Sequence, residues 1–193
     1  EQADGFRALL RAVANQLGRF EVDREHPELV PFNGWRQKML MDNPDFLYWV
    51  ADVRPDRRYR VHGTRGDAAF LSLTAYAASG LTDASAASRL DSDSLHFDVA
   101  GRFSVTLSAE RPESGAWLRL PEGASAVWVR HFYEDVRRDA LGTCTIEALD
   151  GGAPPPFIDA DRFARQLARL GTSVSGVAAI LGAVERDERP RAN

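Results

Sequence analysis

Two arginines carry the strongest suggestion of chemistry in this chain, Arg60 in Tyr59-Arg60-Val61-His62 and Arg130 in Trp128-Val129-Arg130-His131-Phe132. Each sits in an extended, aromatic-rich segment. A guanidinium buried there without an anion would cost about 3–5 kcal/mol. One way to supply the anion is an internal bridge from Arg130 to Asp45, Asp98 or Asp135. The other is a bound carboxylate, sulfate or phosphate gripped by the planar fork of Arg130 and Arg60. Asn43-Pro44-Asp45 poses a similar choice, because Pro44 disfavours helix at Asn43 and both flanking side chains can cap a turn or rim a pocket. Tyr48, Trp49, Tyr59, Trp117 and Trp128 read first as core residues, yet aromatic walls with a few polar groups also describe a ligand site. The candidate binding residues are thus Asn43, Asp45, Tyr48, Arg60, Trp117 and Arg130.

Catalytic candidates are sparser. His131 or Asp135 could act as a general base beside Arg130. Three of the four histidines, His62, His96 and His131, fall on expected strands and could make an open zinc or iron site, but no His-x-His spacing supports one. No Gly-x-Ser-x-Gly elbow is present, and Gly171-Thr-Ser-Val-Ser-Gly176 lacks the Gly-Lys of a phosphate loop. The residues name no cofactor.

The elements that must position these groups are mostly strands. Residues 43–76 read as three strands joined by turns at 54–57 and 63–66, expected to form an antiparallel meander. Leu95, Phe97 and Val99, then Phe103, Val105 and Leu107, alternate with polar residues. A three-residue loop with Gly101 at positive φ would pair Val99 with Phe103, Phe97 with Val105 and Leu95 with Leu107. Residues 125–133 have both faces occupied, Val127, Val129, His131 and Tyr133 opposite Trp128, Arg130 and Phe132, as in the middle of a sheet. A last strand covers 143–149. Residues 82–90 read as a loop with a possible helical turn capped by Thr82 or Asp83, and 134–141 as one or two helical turns.

Helices flank this core. Phe6, Leu9, Leu10, Val13, Leu17 and Phe20 mark one helical face over 3–20, and a short helix is expected over 32–41. After the proline-rich stretch 151–156, Asp159 or Asp161 can cap a helix whose stripe runs Phe163, Leu167, Leu170, Val174, Val177, Leu181, Val184. That stripe packs on the domain or on a partner helix, so a homo-oligomer is one reading. The expected layout is a helical extension at 1–42, a β-sandwich domain at 43–150, and a linker with a helix at 151–193.

Composition narrows the function. The 193 residues suffice for one domain with a real core, and 44% hydrophobic with 27% charged residues is ordinary for a globular chain. A net charge of −4 argues against a general nucleic-acid binder. No apolar run approaches a membrane span. Cys144 alone cannot form an internal disulfide, so a cytoplasmic protein is expected; secretion or a periplasmic location stays open because the chain starts at Glu1 rather than Met.

Two residue sets carry a family likeness: Asn43-Pro44-Asp45, Tyr48, Tyr59-Arg60, Gly63 and Arg65-Gly66; then Gly101 with Phe103, Trp117-Leu118, Arg130, Phe132 and Asp135. With the proline-rich segment and trailing helix, they resemble the DUF1214-type domain family, bacterial proteins often paired with a DUF1254 domain. The likeness runs from about Asn43 to Val184. It departs at Leu47 and Trp49, and at Val136, where tryptophan is common. The strands and helices read above point to a mainly β protein with flanking helices around an antiparallel β-sandwich or jelly-roll-like core; the resemblance implies a mostly antiparallel β-sandwich too and, since some relatives are longer, a chain that is one domain of a larger protein. It does not settle an activity. The function expected from the residues is binding of a small apolar metabolite with an anionic or hydroxyl group in an arginine-containing pocket. The alternatives are an enzyme acting on such a metabolite through a His or Asp base, and an assembly module.

Overall fold

The computed structural model describes residues 2–188 except 21, 23, 33–41, 79–83, 152–156 and 158. Helix α1 spans Gln2–Leu17. Strands follow as β1 (Val30–Pro31), β2 (Phe46–Asp52), β3 (Tyr59–Gly66), β4 (Phe70–Ala77), β5 (Ser85–Asp91), β6 (Arg102–Ser108), β7 (Ala116–Arg119), β8 (Ala124–Phe132) and β9 (Leu141–Ala148), then helix α2 (Ala160–Glu188). The strands form a sandwich: a five-stranded sheet ordered β1-β2-β8-β4-β5 and a four-stranded sheet ordered β7-β6-β3-β9. Every pairing is antiparallel except β6 with β7. The expected β-sandwich with flanking helices is therefore present.

The inward alternation builds one core. Val53, Tyr59, Val61, Leu71, Leu73, Val105, Leu107, Leu118, Val127 and Val129 are buried together between the sheets. Each such aliphatic side chain contributes about 1.5–3 kcal/mol by leaving water. Tyr59 satisfies its buried hydroxyl by accepting from the Arg54 N–H at 2.9 Å and donating to the Arg24 carbonyl at 3.1 Å.

The meander is not formed. Strand β2 pairs with β1 and β8, β3 with β6 and β9, and β4 with β8 and β5, so the three consecutive strands alternate between sheets. The turn at 54–57 exists, with the Arg57 N–H on the Arg54 carbonyl at 3.3 Å, but it carries the chain across the core. Gly63 is not a turn residue. It lies within β3, where an added Cβ would sit 1.9 Å from the Thr143 carbonyl oxygen, and the turn comes after Gly66.

The expected hairpin before β6 is likewise replaced. Residues 95–99 form no strand, Val99 is fully exposed, and β6 pairs with β3 and β7 instead. The cause is Asp98, whose Oδ1 accepts the N–H groups of Ala100 (2.8 Å) and Arg102 (2.9 Å), closing a tight turn with Gly101 at φ +69°. These backbone donors, that of Arg102 first, hold the Asp98 carboxyl below its ordinary value. Gly101 has the predicted positive φ, whereas the pairing it was meant to serve is absent. The stretch read as a loop at 82–90 contains β5, an edge strand of small polar residues; the helical turn at 82–83 and, Phe32 apart, the helix expected over 32–41 fall outside the described residues.

At the chain ends, Asp159 caps α2 by accepting the Arg162 N–H at 2.7 Å. Ala12 of α1 and Val177 of α2 are buried together with Phe32 packed against them, and Phe20 meets Phe163 edge-on at 5.6 Å. Much of the apolar stripe of α1 stays exposed, including Phe6, Leu10 and Leu17. Among the described residues no helix is long and apolar enough to cross a membrane.

Candidate functional site

Strand β8 runs between β2 and β4, so side chains alternate between the core and the outer face of the five-stranded sheet. Val127, Val129 and His131 point inward and are fully buried. Trp128, Arg130 and Phe132 point outward and are half-buried. Register places Tyr48 and Ser72 on either side of Arg130, and Val50 and Thr74 on either side of Trp128.

Around Arg130 the outer face becomes an aromatic shelf. The guanidinium carbon lies 5.2 Å from the centre of the Trp128 ring, 5.6 Å from Tyr48 and 5.7 Å from Tyr76. Its Nη1 donates to Thr74 Oγ1 at 3.2 Å and its Nη2 to the Tyr76 hydroxyl at 2.8 Å. Among the described residues Arg130 makes no ion pair, so its charge is held by ring faces and two neutral hydroxyls. Phe46 extends the shelf, 5.7 Å from Tyr48 and 5.1 Å from Phe132, and Phe32 closes one side at 4.3 Å from Trp128. Asn43 joins it through its backbone N–H, which donates to the Tyr48 hydroxyl at 3.2 Å.

The remaining candidates are elsewhere. The Asn43 side chain accepts the Asp45 N–H at 2.9 Å, an Asx turn that starts β2, and the Asp45 carboxyl is not a partner of Arg130. Asp45 therefore belongs to the turn. Arg60 lies on the outer face of the other sheet, paired with Glu147 at 3.2 Å, with both side chains about half exposed. Trp117 lies in the same cross-strand row through Thr106, its Nε1 donating to the Ser108 carbonyl at 3.2 Å. The expected clamp of Arg130 with Arg60 is thus not built, because their strands belong to different sheets and both side chains face out.

The proposed bases do not reach the shelf either. His131 has no exposed surface and, among the described residues, no hydrogen-bond partner at either ring nitrogen. It packs edge-on against Trp49 (4.8 Å), Tyr133 (6.2 Å) and Phe103 (6.4 Å). Burial, with a lesser contribution from the Arg65 charge, lowers its pKa to about 4. Being adjacent to Arg130 on a strand, it faces the opposite side of the sheet. Asp135 closes the turn after β8 and pairs with Arg137 at 3.3 Å and Arg138 at 3.5 Å. None of the three internal bridges considered for Arg130 forms.

The metal alternative fails on placement. His62 is on the exposed face of β3 beside Thr145, His96 is exposed in the segment before β6, and His131 is in the core. Among the described residues no cluster of His, Cys, Asp or Glu could hold a metal ion. Cys144 is buried, and burial raises its thiol pKa far above the ordinary value.

Thr74 and Tyr76, which orient Arg130, were not singled out by sequence. Their signal was the alternation Phe70, Ser72, Thr74, Tyr76 within β4, readable only once β4 is known to pair with β8.

No family model and no curated protein matches the chain. It is similar to a crystal structure of an uncharacterised protein from Burkholderia cenocepacia, at 30% identity and a TM-score of 0.75, over 91% of this chain and 48% of that one. The chain thus spans about half the length of that relative. A protein from Vibrio parahaemolyticus, VPA0106, aligns over 56% of this chain and 32% of its own at 16% identity and a TM-score of 0.42.

Proposed function

We propose that this chain is a ligand-binding β-sandwich domain of DUF1214 type, belonging to a larger protein, and that it takes a small apolar molecule bearing an acid group on the Arg130 shelf. The observation that carries this reading is a half-buried guanidinium among three aromatic rings with no carboxylate partner among the described residues. Nη1 and Nη2 each give one bond to a hydroxyl, leaving other donors of the fork for a bound carboxylate. Tyr48, Tyr76 and Trp128 supply the apolar body of the site. Titration of the chain with benzoate, indole-3-acetate and medium-chain fatty acids, followed by calorimetry, tests it. Saturable binding that weakens about tenfold or more in Arg130→Met is expected for loss of a charge-assisted contact. Indifference of every acid, or equal binding by the variant, ends the reading.

A second reading rests on the exposed apolar residues Phe6, Leu10, Leu17, Phe163 and Leu167 of the two helices. A stripe of this kind is a surface for a further domain or a second copy. Light scattering behind size exclusion separates a monomer from a dimer, and a monomer at high concentration removes the second copy.

A further inference from the structure

The helices and the sheet border a half-open pocket of about 400 Å³, between the end of α1, the middle of α2 and the last residue of β2. It is separate from the Arg130 shelf. Arg19, Arg24 and Arg169 line it together with one carboxylate, Asp52, and with Gln16 and Gln166. Asp52 is spent on two partners: Oδ1 meets Arg19 Nη2 at 2.5 Å and Oδ2 meets Arg169 Nη1 at 3.5 Å. Arg169 is fixed further by donating from Nη2 to the carbonyls of Arg19 and Val22. Two guanidinium groups are thereby immobilised on a single carboxylate. Arg24 is exposed and makes no ion pair among the described residues, so the described lining carries two positive charges more than negative.

Gln166 supplies the second observation. It is only 8% exposed, yet its Oε1 has no hydrogen-bond partner. A buried amide oxygen left unpaired costs about 1–3 kcal/mol. Ion pairing explains why α1, α2 and β2 are held together. It does not explain an arginine and a buried acceptor that both lack a partner among the described residues, in a space of ligand size.

We propose that this pocket binds a phosphate monoester of a small hydroxylated molecule. The dianion matches the excess charge, with Arg24 swinging onto the phosphate while Arg19 and Arg169 present the remaining donors. A ligand hydroxyl can donate to Gln166 Oε1, which is closed to solvent as it stands, once the side chain turns toward the pocket that Gln166 lines. Fixing two guanidinium groups beforehand lowers the ordering cost of binding.

Phosphorus NMR and calorimetry of the full chain with glycerol 3-phosphate, inorganic phosphate and phosphatidic acid vesicles test the assignment. Saturable binding of glycerol 3-phosphate at millimolar concentration or tighter, exceeding that of inorganic phosphate, is expected. Arg24→Gln removes an exposed side chain with no ion pair among the described residues and should leave thermal stability unchanged while weakening binding about tenfold. Gln166→Leu should bring glycerol 3-phosphate down to the level of inorganic phosphate. Arg130→Met should leave both unchanged, which separates this site from the shelf. The assignment is overturned by absence of saturable binding, by equal binding in Arg24→Gln, or by capture on vesicles alone.

Discussion

Replacing His131 with leucine should remove a defined part of the acid sensitivity of this protein. The imidazole is fully buried and unpartnered, so folding favours its neutral form and pulls its pKa from 6.5 to about 4. In the unfolded chain the ring takes up a proton below about 6.5; in the folded chain it resists until about 4. The unfolded state therefore binds more protons across that interval, and stability falls as pH drops through it. At about 1.4 kcal/mol per pH unit the loss amounts to about 3 kcal/mol, complete near pH 4 and absent above neutrality. Carboxylates titrate over part of the same range, so the informative quantity is the difference between wild type and His131→Leu. Urea unfolding of both proteins at steps from neutral pH to about pH 4 measures it. The wild type should lose about 3 kcal/mol more than the variant, while at neutral pH the variant should be as stable or more so, since two unpaired nitrogens leave the core. Parallel pH curves would refute the reasoning. So would a variant much weaker at neutral pH, which would show that the ring makes a favourable bond.

Other substitutions probe separate parts of the structure. Gly63→Ala should destabilise the chain by about 2–4 kcal/mol in chemical denaturation, because the new methyl meets the Thr143 carbonyl at 1.9 Å across β3 and β9. Gly101→Ala should cost about 1 kcal/mol by placing a side chain at φ +69°. Arg60→Ala should change stability by less than about 0.5 kcal/mol and leave acid binding by the Arg130 shelf intact, as the Glu147 pair is exposed on the other sheet. Cys144 should resist iodoacetamide in the native protein and react at once in denaturant, a contrast read by intact mass, because its thiolate is suppressed by burial.

How much of this was legible depended on whether the signal was local. Strand β8 was readable because Val127, Val129 and His131 alternate with Trp128, Arg130 and Phe132, a pattern that only a strand covered on both faces produces. Helix α2 was readable from its three-and-four spacing and from two candidate caps, Asp159 and Asp161, of which Asp159 is the one used. Strand partners were not, since a short turn such as 54–57 looks the same whether it folds a strand back beside its neighbour or carries it to the opposite sheet. Val99 misled because it continues the alternation of Leu95 and Phe97, whereas the Asp98 carboxylate overrides it with a turn. Strand β5 has small polar residues at a sheet edge and no hydrophobic pattern to announce it. The pairing of Arg60 with Arg130 was not legible for the same reason: each sits in an aromatic strand pattern, and which side of the sandwich each one faces is a property of the assembled sheets. Asn43, Tyr48 and Arg130 came together because β2 and β8 pair directly; Arg60 and Trp117 came together, on the other sheet, through β6.

The position of β8 also imposes an order of events on synthesis. Strands β2 and β4 emerge early, yet they are not neighbours; the strand that joins them ends at Phe132, and the partner that completes β3 ends at Ala148. A nascent chain stopped before residue 124 would carry a five-stranded sheet with its middle strand missing, with the pairing edges of β2 and β4 open to any other strand. Both sheets close only after β8 and β9 have left the ribosome, ending at Phe132 and Ala148, so the strands made before them must be kept from aggregation until these two later strands take their places.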